Sequence, residues 1–188
     1  SFYTNRERYM TSNRFTQIGV DRLIRLEWLD KTASLVLAGN DIKTIKDILQ
    51  TDLQKSFRSE RLDVRGSLDK TITILIKTWA SVPKELKGLH NDALELLRNI
   101  PRQNYLPIHW GMVMAVYPFW AGVALQVGRL INLQGSAVAA QVQRRVREQY
   151  GERETVSRRT RYVLRSYLDW SVLHESDKKG IYTAGSSC

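Results

Sequence analysis

The chain has 188 residues, enough for one or two small domains, and 43% of them are hydrophobic, enough to form a core. Its 29 lysines and arginines outnumber 19 acidic residues and give a formal net charge of +10, which favours polyanionic partners: DNA, RNA or acidic lipid. The single cysteine, Cys188, excludes an internal disulfide and fits a reducing compartment, so we expect a cytoplasmic protein.

The N-terminal region, residues 1–17, is polar and basic and contains no apolar signal stretch. We expect it to form a basic arm carrying Arg6, Arg8 and Arg14. Because Ser1 is not an initiating methionine, we also expect a fragment or a processed chain.

Residues 18–107 are predicted to form a helical domain. Helical spacing of leucines predicts a helix over 20–37, and Asp41 is a predicted cap of the next helix. The charged stretch 55–66 is a predicted loop or hinge. Beyond it, Ser67 is expected to cap a helix that runs to about Ala80.

In the rest of this domain, prolines indicate where helices begin and end. Pro83 is expected in the first turn of a leucine-rich helix, and Pro101 and Pro107 bracket a predicted linker. The region from Asp41 to Trp79 has the order helix, basic connection, helix. It is either a first helix-turn-helix that contacts DNA or a bundle with a solvated charged loop, and the pattern favours the bundle.

The third predicted domain, residues 108–188, opens with an apolar run. Residues 110–127 contain no charge and reach the minimum length of a membrane span. Pro118 divides the run near its middle, and the flanks lack a strong charge asymmetry. We therefore predict two buried helices that meet at Pro118, and no membrane partner.

The C-terminal third carries the most informative pattern, a helix, a turn and a second, arginine-rich helix. Ser136 is a predicted N-cap of the first helix and Gly151 its predicted end, and Thr155 is a predicted cap of the second. Residues at helical spacing predict the buried side of the second helix: Val156, Thr160, Val163, Leu164, Tyr167 and Leu168.

After that helix the spacing changes, and residues 171–175 and 181–183 are predicted strands joined by a turn over 177–180. The order of these elements resembles the winged-helix class of DNA-binding domains over about the last third of the chain. The resemblance implies binding to nucleic acid, most often duplex DNA, with the second helix in the major groove. Protein docking and a merely solvated arginine face are the alternatives, and Glu152 and Glu154 would repel nearby phosphates.

Two groups of DNA contacts are predicted. The outward face of the second helix is expected to reach base edges or the groove, because guanidinium offers a planar pair of donors: Ser157, Arg158, Arg161, Tyr162 and Arg165. Phosphate contacts are expected from a second set: Arg144, Arg145, Arg153, Lys178 and Lys179.

The order of segments over most of the chain supplies a second resemblance. A helical pair precedes a helix that contains Lys70, then come a leucine-rich helix, an apolar middle and a terminal unit with VLRSYLDWSVL from Val163 to Leu173. In this order the chain is similar to the A protein of the BREX phage-exclusion systems. The resemblance implies a DNA-binding accessory subunit of a bacterial defence system, without catalysis of its own. The alternative is an assembly subunit whose basic face docks an acidic protein partner.

We expect no enzyme, metal or cofactor. The histidines are far apart and lack the spacing of metal ligands: His90, His109 and His174. No glycine loop suited to phosphate is present. The nearest acidic group, Glu60, Asp63 and Asp69, is interpreted as hinge surface. His109 is interpreted as a hydrogen-bonded, partly buried residue rather than as a site.

The sequence therefore predicts a mainly α protein, with helical N-terminal and middle regions and a C-terminal winged helix-turn-helix that carries a small β-hairpin.

Overall fold

A computed structural model of the protein describes residues 17–59 and 66–185. The fold is mainly helical with one small antiparallel sheet, which confirms the predicted class at that level. The described chain packs as two compact units, one from Arg22 to Val116 and one that joins the residues up to Asp21 with those from Tyr117 onwards. This division lies later in the chain than the boundary at 107/108 expected from the sequence.

The unit from Arg22 to Val116 contains five described helices. Their bounds are α1 Leu26–Leu37, α2 Ile42–Ser59, α3 Ser67–Trp79, α4 Lys87–Asn99 and α5 Leu106–Val116. The predicted cap of α2 is confirmed, because the Thr44 N–H donates to Asp41 Oδ1 over 2.7 Å. This hydrogen bond stabilises the ionised carboxylate and lowers the pKa of Asp41.

Several predicted boundaries in this unit are wrong. The first helix begins at Leu26, not at residue 20, although Val20 is fully buried. The predicted loop over 55–66 begins as helix, because Phe57 is buried and its ring lies 5.6 Å from that of Trp28. Residues 60–65 of that loop, with Glu60 and Asp63, lie outside the described residues, as do residues 1–16 of the arm predicted over 1–17.

The prolines also act differently from the prediction. Pro83 precedes a short 3-10 turn, Lys84–Leu86, that leads into α4. The linker between Pro101 and Pro107 is shorter than expected, because α5 begins at Leu106 and takes Pro107 into its first turn.

The second unit has the order helix, strand, helix, helix, strand, strand. Its elements are α6 Pro118–Gln134, β1 Ala137–Val138, α7 Ala139–Tyr150, α8 Glu154–Asp169, β2 Leu173–Glu175 and β3 Ile181–Ala184. Strand β3 lies in the middle of the sheet and pairs antiparallel with both neighbours, so that Tyr182 is opposite Ala137 on one side and Glu175 on the other. The predicted hairpin is thus confirmed.

Two predicted helix caps in this unit are wrong, whereas the end at Gly151 is confirmed. Ser136 does not cap α7, because the next two residues pair with β3 and the helix begins at Ala139. Helix α8 begins at Glu154, one residue before the predicted cap Thr155.

An aromatic cluster forms the core of this unit. The fully buried Trp120 ring of α6 lies 4.8 Å from the Tyr167 ring and 4.9 Å from the Trp170 ring. Tyr167 donates its hydroxyl to the Trp120 carbonyl oxygen over 2.6 Å, so its polar end is satisfied inside the core. The cluster joins α6 to α8 and holds α8 in place.

The apolar run around Pro118 divides into α5 and α6. Within the described ranges no single helix is both long and apolar enough to cross a membrane. Helices α5 and α6 reach that length and composition only when they are taken together, and the helical conformation is interrupted between them at Tyr117.

Candidate nucleic-acid interface

One side of α8 is buried against the rest of its unit, and this packing determines which side faces solvent. The predicted stripe is buried at Val156, Thr160, Val163, Leu164 and Tyr167, while Leu168 is half-buried. The Thr160 hydroxyl donates to the Val156 carbonyl oxygen over 2.8 Å, which satisfies the polar member of the stripe within the helix.

The opposite side of α8 carries three exposed arginines, Arg158, Arg161 and Arg165, which we call the arginine row. Their spacing of three and four residues puts them on one face. None of them forms a hydrogen bond or ion pair with any other residue in the described part of the chain. Tyr162 lies beside them and is half-buried. The row is therefore a surface of free guanidinium groups.

Ser157 differs from its predicted neighbours because it is engaged inside the protein. Arg147 of α7 donates from Nη1 to Ser157 Oγ over 2.8 Å and from Nε to Glu152 Oε2 over 3.1 Å. Gln143 Nε2 reaches the Ser157 carbonyl oxygen at 3.5 Å. The same arginine thus joins the two helices and partly offsets the charge of Glu152.

The side chains predicted to contact phosphate lie at different places in this unit. Arg153 is exposed in the turn before α8 and places Nη2 3.5 Å from the Tyr150 carbonyl oxygen. Arg144 and Arg145 instead face α6, in a groove of about 490 Å³ that we call the α6–α7 groove. Its lining residues are Gln126, Arg129, Arg144, Arg145, Glu148 and Gln149. These two arginines thus lie with Arg129 of α6, and their predicted contact with phosphate stays a prediction.

The hairpin turn presents Lys178 and Lys179 to solvent. The Gly180 N–H donates to Glu175 Oε1 over 2.7 Å, and Gly180 adopts a φ of +79°, which glycine tolerates without strain. The Gly180 carbonyl oxygen accepts a hydrogen bond from the Ala139 N–H over 2.8 Å. The turn is thereby fixed to the start of α7.

Sequence reasoning missed the positions of two arginines. Arg159 lies one residue from the arginine row but points another way, because it donates from Nη1 to the Ile18 carbonyl oxygen. The sequence could have indicated this, because successive residues of a helix are rotated by about 100°, so Arg159 cannot share the face of Arg158. Arg129 was missed as a partner of Arg144 and Arg145, because it belongs to another helix.

The other unit contains one buried polar chain, centred on His109. Trp79 Nε1 donates to His109 Nδ1 over 3.1 Å, and His109 Nε2 lies 2.6 Å from Asp30 Oδ1. An indole N–H can only donate, so His109 Nδ1 is the acceptor. His109 Nε2 therefore carries the hydrogen and donates the hydrogen bond to Asp30. These two hydrogen bonds confirm the interpretation of His109 as a hydrogen-bonded histidine. The expected partial burial is wrong, because His109 is fully buried.

Among residues 17–59 and 66–185, no group of three or more histidine, cysteine or acidic side chains could hold a metal ion. Comparison with protein families, curated proteins and solved structures finds no match to this chain. The function must therefore be argued from the geometry of the arginine row, the hairpin turn and the α6–α7 groove.

Proposed function

We propose that the unit starting at Tyr117 is a winged helix that binds duplex DNA through α8 and the hairpin turn. The order α6, β1, α7, α8, β2, β3 and the sheet order β1-β3-β2 support this assignment. In such a domain α8 is the helix that enters the major groove and the hairpin is the wing.

The free arginine row is the observation that carries the proposal. Exposed arginines on helices commonly pair with acidic residues on the next turn, as Arg144 does with Glu148 at 3.8 Å. Arg158, Arg161 and Arg165 have no such partner among the described residues. Their guanidinium groups are available for phosphate oxygens or guanine edges.

The wing adds the second contact. Lys178 and Lys179 are exposed at the tip of a turn whose backbone is fixed by hydrogen bonds. A lysine ammonium is a mobile point charge, which suits a phosphate more than a base edge. We assign the arginine row to the groove and the two lysines to the backbone.

A fluorescence-anisotropy titration of labelled random duplex tests the proposal at about 50 mM and about 200 mM salt. Six to ten phosphate contacts would lower the affinity by about 10³–10⁵ over that range. We expect binding by the natural chain and its loss in an Arg158→Ala, Arg161→Ala, Arg165→Ala variant. Equal binding by the variant, or none by either protein, would overturn the proposal.

The matched control removes the same charge elsewhere. Lys84, Lys87 and Arg98 are exposed in the other unit, and their replacement by alanine also lowers the net charge by three. This variant is expected to bind duplex much like the natural chain, because a local arrangement of charge and not the total charge makes the site.

An assembly subunit is the second candidate function, and α6 supplies the observation that favours it. Leu125 and Leu133 are exposed on this helix, at 48% and 74%. Exposed apolar residues beside a basic face can belong to a protein interface. The proposed role as an accessory subunit of a phage-exclusion system rests on the resemblance in segment order to the BREX A protein.

A further inference from the structure

We propose that the α6–α7 groove is a second binding site for nucleic acid, which takes the phosphodiester backbone of a strand other than the one on α8. The inference rests on the proposed function for its first duplex. It requires that the groove and the arginine row be separate surfaces, that the groove chemistry suit phosphate, and that the groove be open.

The separation follows from the contacts of α7. Gln143 and Arg147 reach Ser157 and so mark the flank of α7 that faces α8. Arg145 and Gln149 line the groove toward α6. Each is two residues from Arg147, and about 100° per residue puts them about 200° around the helix from it. Arg144 and Glu148 lie about 60° and about 100° from Arg147 in the same rotational sense. The lining therefore centres on the side of α7 that is turned away from α8.

The lining of the groove is entirely polar or charged. Arg129, Arg144 and Arg145 supply three guanidinium groups from two helices, and Glu148 is the one acidic residue of the lining. Arginine forks match phosphate oxygens, and glutamine side chains are common donors to the sugar-phosphate backbone. Gln126 is only 7% exposed, and its Nε2 donates to Oε1 of the exposed Gln149 over 3.4 Å, so an amide pair links α6 and α7 within the lining.

The same lining argues against other ligands. Pockets for small molecules are mostly apolar with a few polar groups, and interfaces for peptides bury apolar anchors. The α6–α7 groove has no apolar side chain in its lining, since the exposed Leu125 and Leu133, one turn of α6 on either side of Arg129, are not part of it. The groove has a volume of about 490 Å³ and is open to solvent, so a sugar-phosphate backbone can reach its lining. A phosphodiester backbone fits both features.

A bridging assay tests the inference. The protein is loaded onto an immobilised duplex, unbound protein is washed away, and a labelled second duplex is added. We expect the natural chain to retain the second duplex and an Arg129→Gln, Arg144→Gln, Arg145→Gln variant to lose most of this retention. Loss of three phosphate contacts would reduce the salt slope of the second binding step by about 2.7.

Two further variants test whether bridging depends on the charges of the groove itself. Glutamine at Lys84, Lys87 and Arg98 removes the same charge outside the groove and is expected to leave bridging intact. Glu148→Gln removes the acidic partner of Arg144 and is expected to strengthen capture of the second duplex. Thermal unfolding of each variant checks that the fold is retained, and the groove variant must still bind the first duplex.

The outcomes separate the two proposals. Retention by the groove variant equal to that of the natural chain would overturn the inference, as would absence of bridging when the first duplex is bound. A protein dimer that bridges through two α8 helices would give that first result. If alanine at the arginine row leaves binding of the first duplex unchanged, the proposed function fails, whatever the groove variant does. Capture of polyglutamate in place of duplex would overturn the assignment to phosphodiester.

Discussion

Arg147 of α7 donates a hydrogen bond to Ser157 of α8 over 2.8 Å. The Ser157 hydroxyl is therefore already engaged within the protein, and the contact marks the flank of α7 that faces α8. The Arg147 side chain is 29% exposed, and it also binds Glu152. Arg147 thus joins α7 both to α8 and to the turn that precedes it.

Ser157→Ala should lower the free energy of unfolding by about 1 kcal/mol. A hydrogen bond to a charged group is worth about 1.5–3 kcal/mol, and partial exposure of Arg147 reduces it. Urea unfolding of the variant beside the natural chain measures the difference. An unchanged unfolding curve with weakened DNA binding would instead make Ser157 a DNA contact.

Arg158→Ala and Lys178→Ala should affect DNA binding in different ways. Arg158 is assigned to base edges, so its loss should cost about 1–3 kcal/mol on preferred sequences and less on others. Lys178 is assigned to phosphate, so its loss should weaken binding to all sequences alike and reduce the salt slope by about 1. Titrations of selected and random duplexes at several salt concentrations distinguish the two. A uniform loss in both variants would contradict base recognition by Arg158.

Gly122→Ala should destabilise the second unit by about 1–3 kcal/mol, because a Cβ atom there would overlap Tyr150 Oη and lie 3.0 Å from two ring carbons. Gly128 of the same helix has nothing within 4 Å of such an atom, so Gly128→Ala should stabilise by about 0.5–1 kcal/mol. Thermal unfolding measures both. Adding Tyr150→Phe to Gly122→Ala should recover part of the loss, and the same sign for both glycine variants would contradict the packing described.

Asp30→Ala should destabilise the helical unit much more than Arg102→Ala. The Asp30 side chain is 16% exposed, and without it the His109 Nε2–H would be buried with no acceptor, at about 1–3 kcal/mol. The Arg102 side chain is 70% exposed, and its 3.2 Å pair with Asp30 should contribute about 0–1 kcal/mol. Denaturant unfolding compares the two variants. Equal losses would show that the exposed ion pair, rather than the buried histidine, matters for stability.

Alkaline pH should destabilise the second unit. Burial raises the pKa of Tyr167 well above its ordinary value of 10.0. The folded state therefore favours the protonated phenol, and this contribution is complete below about pH 10 and is lost as the pH rises toward the folded pKa. The loss is at most about 1.4 kcal/mol per pH unit for one group. The prediction is checked by measuring the free energy of unfolding at several values between about pH 8 and pH 11.

Tyr167→Phe is the matched variant for that titration. It keeps the ring against Trp120 but loses the hydroxyl hydrogen bond of 2.6 Å, so its stability should be lower at neutral pH. Its decline above about pH 10 should be shallower, and not absent, because burial also raises the pKa of Tyr117, Tyr150 and Tyr182. Identical slopes for the two proteins would contradict the role of Tyr167.

The sequence by itself determined the helical class, the end of α7 at Gly151, the buried stripe of α8 and the hairpin. These features follow from local rules: helical periodicity, the left-handed tolerance of glycine and turn chemistry all act within a few residues. The exposed positions of Arg158, Arg161 and Arg165 follow from the same periodicity, since the face opposite a buried stripe must meet solvent.

Only the tertiary structure decided which polar groups are already engaged. Arg159 has the same residue type and helical setting as Arg158, yet it donates to the Ile18 carbonyl oxygen. Ser157 lies on the same helix and accepts a hydrogen bond from Arg147. The α6–α7 groove likewise joins Arg129 to Arg144 through packing of two helices. Ser136 failed as a cap because pairing with the distant β3 replaced the local hydrogen bond. Contacts between residues far apart in sequence leave no periodic signal, so the folded chain alone reveals them.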